Sequence, residues 1–179
     1  SDSAVVCRTG HGVRGTRRVV VTAGGRAGSL SEAFSFDVAS LSVMTRGNAL
    51  STGSASVTVQ GSSFGHLMYT SGMRAGGSAC EASDWVSDSA VVCRTGHGVR
   101  GTRRVVVTAG GRAGSLSEAF SFDVASLSVM TRGNALSTGS ASVTVQGSSF
   151  GHLMYTSGMR AGGSACEASD WVSDSAVVC

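Results

Sequence analysis

Ser87-Asp88-Ser89-Ala90-Val91-Val92-Cys93-Arg94-Thr95-Gly96-His97-Gly98-Val99-Arg100-Gly101-Thr102-Arg103-Arg104-Val105-Val106-Val107-Thr108 holds two short β-branched segments parted by glycines. Ser89 to Cys93 and Arg103 to Thr108 are too short for helices, and Gly96-His97-Gly98 punctuates them, so both predict strands. The same run opens the chain at 1–22. Read outward, the identity persists: residues 1–93 recur without a substitution as 87–179, a period of 86 residues. Repetition at such a period indicates stacked like units. Identity that extends to the loops implies equivalent surroundings for each copy, as in a rod, sheet or filament, although a recent duplication leaves the same pattern. Cys179 falls at the place of Cys7 in the cycle, as in a window cut from a longer array. Such a window is silent about leaders and membrane anchors.

Other segments of the period read the same way. Leu41-Ser42-Val43-Met44 opens it, and Ala55-Ser56-Val57-Thr58-Val59 alternates, with Ala55, Val57 and Val59 on one side. Leu67-Met68-Tyr69 and Met73-Arg74-Ala75 are weaker candidates, and Ala119-Phe120-Ser121-Phe122-Asp123 sets two aromatics on one face. Turns fall at Arg46-Gly47-Asn48, Gly76-Gly77 and Gly110-Gly111. About seven short strands per period describe a β-sandwich. Its expected core is Val57, Val59, Phe64, Trp85, Val91, Val105, Val107, Phe120 and Phe122. Between Phe122 and Leu127 stand only Asp123, Val124, Ala125 and Ser126, with no hinge composition. Stiff end-to-end stacking follows, with an advance per repeat of roughly 35–45 Å.

Charged residues are only 14 %, yet the apolar fraction of 41 % suffices for a core, which argues against disorder. Each period carries seven Arg, no Lys and five acids, a net +2 (7 − 5) that is too mild for a nucleic-acid binder. Arginine suits bidentate pairing with carboxylates, between repeats or on an acidic glycan. Solvated surface charge is the default reading.

Five cysteines resolve into two per period. Cys80 and Cys93 enclose twelve residues, Cys166 and Cys179 repeat that pair, and Cys7 matches Cys93, its partner lying outside the chain. No C-x-x-C or zinc-spaced His accompanies them, so a disulfide closing a short loop is a better reading than a metal site. Such a loop stabilises a fold by about 3 kcal/mol in the chain-entropy treatment. It also points to an oxidising, secreted or cell-surface setting. Trp85 lies inside the loop and is expected to pack on the disulfide.

Two catalytic-looking patterns are refused. Gly96 to Gly101 fits G-x-G-x-x-G, but a strand follows where a phosphate-binding helix is needed. Gly61-Ser62-Ser63-Phe64-Gly65 fits G-x-S-x-G without the following helix or an acid for His66. Asp84 and Asp88 flank Trp85 at no calcium-loop spacing. Asn48 and Asn134 lack the glycosylation acceptor pattern. His11, His66, His97 and His152 sit at turns, where solvation is the default and a pH-sensitive contact between repeats the alternative. No catalytic residue, cofactor or metal is assigned.

Three runs carry a family resemblance: Ser56 to Gly65, Gly76-Gly77-Ser78-Ala79-Cys80, and Trp85 to Cys93. With Arg104 to Thr108 and Phe120-Ser121-Phe122 they resemble the IPT/TIG domain, an immunoglobulin-like sandwich of plexin-type and Met-type receptors and fibrocystin-like surface proteins. The sequence is most similar to arrays of this domain in large surface proteins of microalgae. In that phase, 1–40 is the second half of a repeat, 41–126 a complete repeat and 127–179 the first part of the next. The resemblance implies an all-β tandem of sandwiches stacked end to end. It also implies Cys80–Cys93 and Cys166–Cys179 as intradomain disulfides. Arg94-Thr95-Gly96 and Met44-Thr45-Arg46 stand where many members have Pro.

The resulting expectation is a structural, non-enzymatic component of an extracellular filament or hair, of mastigoneme type, self-associating through identical repeats. Met68, Tyr69 and Met73 are candidates for lateral contact or for core. The alternative is a cell-surface adhesion or ligand-binding ectodomain with the repeats as stalk, touching glycans or other surface proteins. Neither reading involves nucleic acid, or membrane contact within this segment.

Overall fold

The valine run and its double glycine fold as one long hairpin, β1 (Gly15–Ala23) and β2 (Arg26–Phe36), in a computed structural model that describes residues 3–12, 15–66, 70–99, 101–152 and 155–179. Then come β3 (Ser40–Met44), β4 (Asn48–Ala49), β5 (Ser56–Ser62), β6 (Ser71–Ala75), β7 (Ser78–Ala79), β8 (Ala82–Ser87), β9 (Ala90–Arg94), β10 (Gly101–Ala109) and β11 (Arg112–Phe122). The cycle resumes with β12 (Ser126–Met130), β13 (Thr144–Ser148), β14 (Arg160–Ala161), β15 (Ser164–Ala165), β16 (Asp170–Ser173) and β17 (Ala176–Val178). Among the described residues there is no helix.

Strands β3 to β11 make a two-sheet sandwich. One sheet runs β3-β5-β9-β8, the other β4-β11-β10-β6-β7. Pairing is antiparallel throughout, except for a short parallel match of β4 to β11. Alternation along β5 and β9 sends Val57, Val59, Val91 and Cys93 inward, where they meet Val105, Val107, Phe120 and Phe122 of the opposite sheet. Phe64, just past β5, is fully buried among them. Burying each such side chain contributes about 1.5–3 kcal/mol.

The hairpin is built the same way twice. Gly110 and Gly111 have φ of +55° and +73°, the left-handed pair that a tight two-residue turn between right-twisted strands needs. Both hairpins carry the same irregularity, between Arg17 and Val19 and between Arg103 and Val105, with Glu32 and Glu118 at positive φ across from it. Only the burial differs. Val105 and Val107 are 0 % exposed, whereas Val19 and Val21 are 40 % and 42 % exposed.

Several details differ from the sequence reading. The expected strand 119–123 is the end of the eleven-residue β11, which begins at Arg112, directly after the Gly110-Gly111 turn. Gly114 is there because β11 crosses β3 closely: a Cβ would lie 2.5 Å from the Ala39 carbonyl oxygen and from Leu41 Cδ1. Trp85, expected in the core, is half-buried on β8, a polar edge strand that the periodicity did not reveal. Its indole N–H donates to the Gly65 carbonyl at 3.2 Å. Met73 is core at 3 % exposure, beside Leu41, Ala49, Ala75 and Ala109. The expected segment Leu67-Met68-Tyr69, with the contact candidates Met68 and Tyr69, lies outside the described residues.

Phe120→Ala is expected to lower unfolding stability by about 3–5 kcal/mol, and Phe34→Ala, at the same place in the exposed hairpin, by no more than about 1 kcal/mol. Urea titration followed by tryptophan fluorescence checks both; equal losses would contradict the burial difference.

Candidate functional site

Cys80 leaves β7 in one sheet and Cys93 sits on β9 in the other; their sulfurs are joined with the Cα atoms 5.8 Å apart. Cys166 and Cys179 are joined likewise at 5.6 Å. Each bond therefore ties one sheet to its partner. Cys7 is exposed and has no disulfide.

The refused motifs lie where packing explains them. Gly96 backs onto Ala79, whose carbonyl oxygen a Cβ would meet at 2.7 Å, and the run ahead leads into strand β10. Gly61 lies against Ser40, its would-be Cβ 2.0 Å from that carbonyl oxygen. Among the described residues no group of three His, Cys, Asp or Glu is placed to hold a metal ion. An ion pair of Arg94 Nε with Glu81 Oε2 at 3.7 Å is solvent-exposed and contributes little.

The distinctive chemistry gathers where one copy of the repeat meets the next. His11 stacks on His66 with ring centroids 4.9 Å apart, and His97 on His152 at 4.8 Å. The turn residues read as solvated by default are thus paired across both junctions, though each ring stays exposed. Gly12 and Gly98 lie directly under Phe36 and Phe122, whose ring atoms a Cβ would meet at 2.2 Å and 2.1 Å. Those phenylalanines close their hairpins, and each stands edge-on to its neighbour, Phe34 or Phe120. A cavity of about 340 Å³ at the first junction is lined by His11, Phe36, Asp37, Ser63, His66 and Asp88.

Carboxylates organise the backbone around the histidines. Asp88 Oδ1 accepts the Gly65 N–H at 2.8 Å, and Asp174 Oδ1 accepts that of Gly151 at 2.9 Å. Asp174 also accepts the Ser51 hydroxyl at 3.2 Å, a bond across the second junction. Ser51 is buried, and its carbonyl takes the Gly98 N–H at 2.9 Å. Asp123 accepts from the Asn48 amide, so the short connector after β11 is pinned to the start of β4. Tyr155 stands edge-on to His97 at 6.2 Å, and desolvation pushes its phenol above the usual tyrosine range. Buried Thr95 is held to Ala55 twice, its Oγ1 accepting the Ala55 N–H at 3.1 Å and its own N–H donating to the Ala55 carbonyl at 2.9 Å. Ser51 did not stand out in the sequence, because a lone serine in a Gly/Ser-rich chain carries no local signal, whereas Asp174 and Tyr155 repeat Asp88 and Tyr69, which the sequence offered for calcium and for lateral contact. The arrangement can hold, orient and stiffen.

Residues 42–124 match the model of the TIG family, the IPT/TIG domain, so an IPT/TIG domain is present over that range. The full extracellular region of plexin A4 is similar in two crystal forms, at 16 % identity and TM-score 0.44 in both. Those matches cover 79 % and 89 % of this chain, but only 15 % and 14 % of the plexin chains. A crystal structure with a xylogluco-oligosaccharide matches at 6 % identity and TM-score 0.37, covering 90 % of this chain and 38 % of the other. No curated protein matches the chain.

Replacing both Cys80 and Cys93 by Ala is expected to cost about 3 kcal/mol of stability. A non-reduced digest of the unmodified chain should link the two cysteines; finding both as free thiols would contradict the cross-link. Asp174→Ala removes the acceptor of the Gly151 N–H. Exchange of that amide should then quicken by about 10–100-fold, read by hydrogen-exchange mass spectrometry.

Proposed function

We propose that this chain is a non-catalytic, extracellular spacer: the stalk of a cell-surface ectodomain, built from IPT/TIG repeats divided as 1–40, 41–126 and 127–179. The observation that carries the reading is the joint formed twice, with stacked histidines 4.9 and 4.8 Å apart and a glycine seated under a phenylalanine each time. A joint that repeats unchanged turns a string of sandwiches into a rod of constant step. Disulfides between Cys80 and Cys93, and between Cys166 and Cys179, suit an oxidising exterior. In this reading the rod holds a binding module away from the surface, and glycans or other surface proteins are its partners.

A second reading is the shaft of an extracellular filament of mastigoneme type. The unbroken 86-residue period favours it, since equal patches at equal spacing associate sideways without closing.

Small-angle scattering of the chain should give a rod-like distance distribution, whereas a flexible string of beads would sink both readings. On intact cells, a membrane-impermeant thiol reagent should reach Cys80, Cys93, Cys166 and Cys179 only after reduction, with the exposed Cys7 scored separately; labelling of all of them only after the cells are lysed, without reduction, would reject the extracellular assignment. Micrographs of native material then separate the two: isolated rods favour the stalk, and fibres with an axial repeat near 40 Å, roughly one domain length, favour the shaft.

A further inference from the structure

Alternation along β6 and β10 sends Met73, Ala75, Val105 and Val107 into the core of the central sandwich. It leaves Arg74, Arg104, Val106 and Thr108 on the outer face of their sheet. Arg74 stands opposite Val106 in the register, so Arg104, two residues back, is its diagonal neighbour at roughly 7–8 Å. Both arginines are exposed, and among the described residues neither has a carboxylate within ion-pair distance. Glu118 is the one acid on β6, β10 and β11, and it is not engaged with them. Like charges placed this way repel, and an anion lying between them removes that cost.

The same face is hollowed beside Arg74. Where the chain passes from β7 to β8, a cavity of about 360 Å³ is lined by Gly72, Arg74, Glu81, Ser83, Val106 and Thr108. The hollow returns in the next copy, about 440 Å³ around Gly158, Arg160, Glu167 and Ser169, the same places one period on. A Cβ on Gly72 or on Gly158 would meet nothing within 4 Å, so the protein leaves this space open both times. The carboxylate at its rim is already engaged: Glu81 accepts the Ser54 hydroxyl at 3.1 Å and pairs with Arg94 at 3.7 Å.

We infer that this face binds an acidic polysaccharide, with one sugar ring in the hollow, its carboxylate on Arg74, and the chain continuing over Val106 to Arg104. A guanidinium fork meets a planar carboxylate with two parallel hydrogen bonds. Thr108 offers its hydroxyl to ring hydroxyls, and Val106 gives the C–H face of the ring an apolar floor. An acidic peptide would need more apolar anchors, and Val106 is the one large apolar side chain on the outward side of β6 and β10. Because the hollow recurs with the period, one polyanion can engage successive repeats, and weak single contacts then combine. The inference rests on the stalk reading, in which glycans are partners, and names their chemistry.

Isothermal titration with polygalacturonate should show binding that weakens as salt rises. Arg74→Gln together with Arg104→Gln should weaken it at least about tenfold, whereas Arg46→Gln with Arg132→Gln, which removes equal charge elsewhere, should change it by less than about threefold. All four positions are exposed, and near-ultraviolet dichroism with the Cys80–Cys93 link checks that each variant is folded. A wild-type chain that does not bind polygalacturonate overturns the proposal, as do equal losses in the two double variants. Polyglutamate bound as tightly as polygalacturonate also overturns it, by assigning the face to an acidic protein. Scattering of the unbound chain is a separate readout, so a failure here leaves the rod standing.

Discussion

Everything in this molecule depends on one act of burial: the Val105, Val107, Phe120 and Phe122 face of a hairpin closing onto Val57, Val59 and Val91 of the opposing sheet. Each sheet has one apolar face that only the other covers, and leaving that face in water is unfavourable. The closure also brings Cys80 and Cys93 into bonding range, because they belong to different sheets. Covalent staple and hydrophobic core are therefore coupled, since one closure of the two sheets sets both.

The same hairpin sets the joint. Phe122 ends β11, and its ring roofs Gly98 of the loop that precedes β10, leaving no room there for a side chain. With three residues between β11 and β12, the next copy starts where that roof leaves it. His152 then meets His97, and Asp174 meets Ser51. Core packing and joint geometry share one element, so a change at Phe122 reaches both. That coupling is why a repeated core yields a repeated joint, and why the functional reading rests on mechanics and not on reactivity.

Much of the site's raw material was legible. The cysteine pairs stood out by spacing, and the turns by glycine. The histidines were visible as residues but not as partners: His97 and His152 are 55 positions apart (152 − 97), and no local pattern joins them. Ser51 and Asp174 were further out of reach, since their hydrogen bond spans two repeats. Trp85 was misjudged for a related reason. Its aromatic bulk argued for the core, but its strand lies at the sheet edge, where only one flank is covered.

By itself the sequence determined what local physics can determine. Paired glycines and β-branched alternation produce the same hairpin, in the same register and with the same bulge, at 15–36 and at 101–122. Burial is another matter. Val19 and Val105 have identical neighbours in sequence, yet one is exposed and the other enclosed. The difference comes from which strands lie across from each, and that is a property of the assembled sandwich, because hydrophobic burial is a relation between two surfaces and a sequence segment supplies only one of them.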